Sequence, residues 1–177
     1  MNIILVGSRG SGKSTVGPSV ARRLKMEFVD LDARIVEDAG KSIREIFATE
    51  GESGFRRRER EAFLKIKKLK DHVIALGGGA LTDPETLSLV RRVGKVVWLR
   101  APAAVLWSRV SKDPHTIYNR PNLTSSGGLA ELEAILLQRE PIYESAASHV
   151  IDTETLSVSE VVEAIELWYE ANDAHAY

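Results

Sequence analysis

Gly7-Ser8-Arg9-Gly10-Ser11-Gly12-Lys13-Ser14 decides the reading of this chain. An apolar run at residues 3–6 leads into it, and a segment with helical character, Lys13–Leu24, leads out. The spacing is G-x-x-x-x-G-K-[ST], set where a strand gives way to a helix. There the glycines let backbone N–H groups turn inward around phosphate oxygens, and the helix N-terminus adds positive potential. Gly10, Ser11, Gly12, Lys13, Ser14 and Thr15 are therefore the expected contacts to a nucleotide's phosphates. Lys13 would reach the outer phosphates, and the Ser14 hydroxyl would hold Mg²⁺.

Outward from this loop, short apolar runs alternate with longer amphipathic segments, which predicts an α/β fold with a mainly parallel sheet. Strands are expected at 3–6, 27–30, 73–76, 95–99 and 149–151. Helices are expected at 13–24, 33–39, 42–49, 52–70, 83–92, 103–110, 128–143 and 157–170. Pro141 should kink or shorten the last turn of its helix. Residues 111–128 are polar, with two prolines and two glycines, and read as a mobile loop; the tail at 171–177 reads as frayed. No repeat or linker divides the chain, so 1–177 is expected to be one domain.

Composition narrows the function classes. A net charge of -1 gives no overall attraction to nucleic acid or to anionic membrane. No apolar stretch approaches the roughly 18 residues that span a bilayer. The opening residues Met1-Asn2-Ile3-Ile4-Leu5-Val6 lack the pattern of a leader peptide and read as the first buried strand. The absence of cysteine excludes disulfides, thiolate metal sites and thiol nucleophiles, and suits a cytoplasmic setting.

A phosphate cradle alone does not choose among kinases, GTPases, motors and switches. The chain has no Asn-Lys-x-Asp segment for reading guanine, and the strand Val96-Val97-Trp98-Leu99 ends in Arg100 rather than in a metal-binding Asp. Asp30-Leu31-Asp32, directly after Phe28-Val29, supplies acid where parallel sheets bind ligands. Asp30 is assigned to Mg²⁺, directly or through water, and Asp32 to accepting a proton from an acceptor hydroxyl. Asp32 also has a second reading, as the N-cap of the next helix. Gly77-Gly78-Gly79 ends another strand, and so many glycines make sense where a ligand must approach the main chain.

Three arginines stand out. Arg56 lies three residues before Glu59, which shares the helical stripe of Phe55, Ala62, Phe63 and Ile66; an i,i+3 pair would hold its guanidinium in one orientation. Arg139 shares a stripe with Leu132, Ile135 and Leu136 and needs an anionic partner there. Two such arginines suit forked capture of a substrate carboxylate. Arg120, in the polar loop before Pro121, suits a cation that closes over phosphates. Arg57, Arg58 and Arg60 read as a solvated face, and the four histidines show no ligand spacing.

Together these motifs resemble the shikimate kinase family, within the nucleoside-monophosphate-kinase-like P-loop fold. The resemblance rests on residues 7–15, Phe28-Val29-Asp30-Leu31-Asp32, Ile43-Arg44-Glu45-Ile46-Phe47, Gly51-Glu52 and Phe55-Arg56-x-x-Glu59. It continues through Gly77-Gly78-Gly79, Arg120-Pro121 and Arg139-x-x-x-Tyr143. It implies a three-layer sandwich with a five-stranded parallel sheet, a substrate-binding segment at about 31–60 and a lid at about 111–128. It implies transfer of the ATP γ-phosphoryl group to the 3-hydroxyl of shikimate by a cytoplasmic monomer. Asp32, Arg56, Gly78 and Arg139 would contact shikimate, and Lys13, Asp32 and Arg120 would carry the chemistry. The lid is a few residues longer than the family's usual spacing, and the loop near 152–157 lacks an arginine that some members carry. The competing readings are another small-molecule kinase of this fold, such as a gluconate kinase, and a non-catalytic nucleotide-binding regulator.

Overall fold

The computed structural model describes residues 1–113 and 127–173; Arg120 and most of the expected lid lie outside the described residues. Five strands form one parallel sheet: β1 (Asn2–Val6), β2 (Glu27–Asp30), β3 (His72–Ala75), β4 (Gly94–Arg100) and β5 (His149–Asp152). Their order is β2-β3-β1-β4-β5, with Ile4 opposite Ile74 on one side and Val96 on the other.

The helices are α1 (Lys13–Leu24), α2 (Leu31–Ala39), α3 (Ile43–Ile66), α4 (Pro84–Val93), α5 (Ala103–Ser111), α6 (Gly128–Ala146) and α7 (Val158–Asp173). A short 3₁₀ turn, Ala80–Thr82, precedes α4. Strands buried on both faces are apolar throughout, and successive side chains serve opposite layers. Ile4, Val6, Ile74, Val96 and Trp98 pack with α2, α3, α4 and α6. Ile3, Leu5, Val73, Val97 and Leu99 pack with α1 and α7. The result is a three-layer α/β sandwich.

Two boundaries differ from the sequence expectation in informative ways. Helix α6 runs through Pro141 to Ala146. Pro141 is exposed, so its ring and its missing donor disturb only the solvent side of the helix. Helix α3 carries the expected break at 50–51 as a kink rather than as a gap: Gly51 alone leaves helical geometry. No helix among the described residues is long and apolar enough to cross a membrane.

The candidate active site

The crevice opens at the ends of neighbouring β1 and β3, whose outgoing connections run to opposite sides of the sheet, to β2 and to β4, the place where ligands settle in open α/β folds. Strand β1 delivers the chain into the glycine loop, and Gly12 caps α1 with a left-handed backbone (φ 96°). The Lys13 ammonium donates to the Gly7 carbonyl at 2.7 Å, the Ser8 carbonyl at 3.0 Å and the Ser11 hydroxyl at 3.3 Å. It is thus held inside its own loop. The loop walls a cavity of about 660 Å³, together with Asp30, Asp32, Gly78, Arg109, Thr153 and Ser157.

The two acids at the end of β2 have different surroundings. Asp30 Oδ2 accepts from the Ser14 hydroxyl at 2.5 Å. Asp30 Oδ1 accepts from the backbone N–H groups of Asp32 and Ala33 at 3.0 and 3.2 Å. Asp30, in extended geometry, is therefore the N-cap of α2, and Asp32 sits in its first turn. The capping role falls on Asp30, two residues before the Asp32 that the second reading anticipated. Asp32 faces the cavity, and its Oδ1 would stand 2.9 Å from a Cβ at Gly77.

A second, smaller pocket of about 50 Å³ adjoins the first. Ile43, Phe47, Phe55, Arg56 and Glu59 come from α3, and Leu132, Ile135 and Arg139 from α6. Arg9 and Gly78 line both pockets. Arg56 donates to Glu59 at 2.7 Å, as the i,i+3 spacing anticipated. Glu59 is 3% exposed, and its Oε1 has no hydrogen-bond partner among the described residues. Burial raises its pKa from the ordinary carboxylate value, and Arg56 and Arg139 oppose that rise.

The triple glycine has a side-chain explanation. A Cβ on Gly77 would fall on the Glu59 carboxylate, and one on Gly79 on the Arg56 guanidinium. Arg139 lies 3.5 Å from where a Cβ of Gly78 would sit. The Tyr143 hydroxyl donates to the Gly78 carbonyl at 2.5 Å, and burial pushes its pKa up to about 12. Bare backbone at 77–79 lets the buried Glu59 carboxyl and the partly exposed Arg56 guanidinium close against the end of β3.

Several site residues escaped the sequence reading. Arg9 occupies a variable position of the glycine motif, so nothing local marked it. Burial lowers its pKa; Glu131 opposes that shift and Arg139 adds to it. Glu131 is itself buried, in the first turn of α6, four residues before Ile135; that spacing was the available signal. Arg109 donates to the Thr153 hydroxyl at 3.0 Å and to the Thr153 carbonyl at 2.5 Å, bracing the rim of the larger cavity.

A glycine-loop cradle at the end of the central strand, with an acid pair and a second ionic pocket alongside, defines a P-loop phosphotransferase of the nucleoside-monophosphate-kinase type. The model of the family "Shikimate kinase" matches residues 9–169. The shikimate kinase of Francisella tularensis subsp. novicida is 43% identical over 165 residues, covering 93% of this chain and 92% of that protein. Two solved structures superpose closely. Shikimate kinase from Acinetobacter baumannii in complex with shikimate gives a TM-score of 0.90 at 34% identity, over 97% of this chain and 93% of that one. The enzyme from Bacteroides thetaiotaomicron gives 0.85 at 30%, over 96% and 98%. The chain belongs to the shikimate kinase family.

Proposed function

We propose that this chain transfers the γ-phosphoryl group of ATP to the 3-hydroxyl of shikimate, giving shikimate 3-phosphate and ADP. The observation that carries the reading is the pair of adjoining pockets that share Arg9 and Gly78, with Asp32 beside their junction. One pocket has the size and the backbone cradle for a nucleotide. The other is small, apolar on one side and cationic on the other, as a carboxylated ring requires.

In this reading Lys13 exchanges its carbonyl partners for the β and γ phosphates. Gly10, Ser11, Gly12, Ser14 and Thr15 surround the phosphates with them. Ser14 and Asp30, whose side-chain oxygens lie 2.5 Å apart, are the chemistry that a hard cation such as Mg²⁺ takes, and they would hold it. When bound, Mg²⁺ would supply neutralisation of phosphate charge there. Arg56 and Arg139 grip the shikimate carboxylate beside Gly78. Asp32 takes the hydroxyl proton as the new O–P bond forms and the β–γ bridging bond breaks, with ADP leaving. Arg120, on a lid at about 111–128, completes the charge stabilisation. The protein works as a cytoplasmic monomer, one domain spanning 1–177.

ADP release with Mg·ATP tests this directly, with shikimate, gluconate, AMP or no acceptor. Strong stimulation by shikimate alone is expected. Stimulation by gluconate or AMP instead would overturn the acceptor, and ATP binding without turnover would make the protein a nucleotide-binding regulator.

A further inference from the structure

Helix α3 is two helices laid end to end. At Gly51 the backbone swings to φ 69°, ψ -176°, a left-handed φ that residues with a Cβ resist. The two halves build different walls of the acceptor pocket. Ile43 and Phe47 belong to the first half; Phe55, Arg56 and Glu59 belong to the second. The angle at Gly51 therefore sets the distance from the apolar wall to the Arg56 guanidinium. A glycine alone leaves such an angle soft.

Three contacts cross the kink. Glu50 accepts a forked pair from Arg58, Nε at 2.9 Å and a terminal nitrogen at 2.8 Å, with Arg57 looser at 3.5 Å. Gly54 makes room for this, since a Cβ there would fall on the Cβ of Glu50. The Phe47 and Phe55 rings meet at 4.9 Å, and both line the pocket. The hydrogen bond from Arg58 holds the Glu50 carboxyl below its usual range, so the pair stays charged near neutrality.

We infer that Glu50 and Arg58 are positioning residues for the acceptor pocket: their forked ion pair fixes the angle across Gly51, and with it the spacing between the Phe47 wall and Arg56. The inference rests on reading that pocket as the shikimate site. A guanidinium–carboxylate fork sets direction as well as distance, whereas an ammonium supplies a point charge only. Neither residue lines either pocket, so both act through Phe47 and Arg56. Their influence falls on the acceptor and not on the nucleotide.

The test is steady-state kinetics on Arg58→Ala, Arg58→Lys, Glu50→Gln and the double variant Glu50→Gln/Arg58→Ala. KM for shikimate should rise about two- to five-fold in the Ala and Gln variants, the range one partly exposed ion pair supports. KM for ATP and kcat should hold, Arg58→Lys should fall between, and the double variant should be no worse than either single change. A lowered melting temperature with an unaltered KM for shikimate would overturn the inference, as would parallel rises in both KM values. If the wild-type protein itself ignores shikimate, the functional reading fails first. Amide hydrogen exchange then still decides the clamp: residues 43–50 should exchange faster in Arg58→Ala, and equal rates would overturn it.

Discussion

The two pockets share a wall, yet they are made of different material. The nucleotide side is a loop of backbone with one lysine folded into it. The acceptor side is made of side chains from α3, α6 and the glycine loop, with two carboxylates, Glu59 and Glu131, buried around three arginines. A backbone cradle depends on local geometry and on few side chains, so eight consecutive residues announce it. A side-chain pocket depends on charges taken out of water, each of which must be answered by another residue. The first is robust to most substitutions and exposed to loss of a single cation. The second distributes its sensitivity over many positions.

That contrast breaks most visibly at Lys13. Replacing it with Ala should lower kcat by about 10²–10³-fold, the scale of removing one charge-stabilising donor, while the unfolding transition stays near that of the wild type. Near-normal ADP release would mean that the backbone alone handles the phosphates. A smaller effect is expected at Arg139→Ala. KM for shikimate should rise about 10- to 100-fold, the worth of one charge-assisted hydrogen bond, with little change for ATP. Equal weakening of both substrates would erase the distinction between the pockets.

The smallest effect concerns Glu59 and is read in stability. Burial raises its pKa above the ordinary 4.5, so the fold favours the protonated form. Its contribution is fully present below the unfolded value and is lost as pH climbs through the raised folded value. Subtracting the unfolding free energy of Glu59→Gln from that of the wild type should leave a difference that is flat below about pH 4.5 and falls above it. A difference flat throughout would show that Arg56 cancels the cost of burial.

The same division explains which parts of the fold and site are legible in the amino-acid sequence. Lys13–Leu24 and Glu27–Asp30 fall where the pattern put them, because a glycine turn, an apolar run and an acid each act locally. The Arg56–Glu59 contact was legible too, since three residues along a helix guarantee proximity. Glu50 and Arg58 were not, because their meeting depends on the kink at Gly51, and Arg58 read as one of a solvated row. Arg9 was hidden for another reason: the glycine loop itself puts it in the larger pocket, but its place in the smaller one comes from α6, more than a hundred residues away. The continuation of α6 past Pro141 depended on which side of the helix faces water.

Arg9 and Gly78, common to both cavities, carry a consequence for how affinities add. A guanidinium drawn toward one ligand presents a changed field to the other, so the two binding free energies are coupled. Equilibrium linkage makes that coupling reciprocal: whatever factor shikimate imposes on the dissociation constant of ATP, ATP imposes on that of shikimate. A dissociation constant measured with the neighbouring cavity vacant therefore belongs to a different thermodynamic state from the one that turns over.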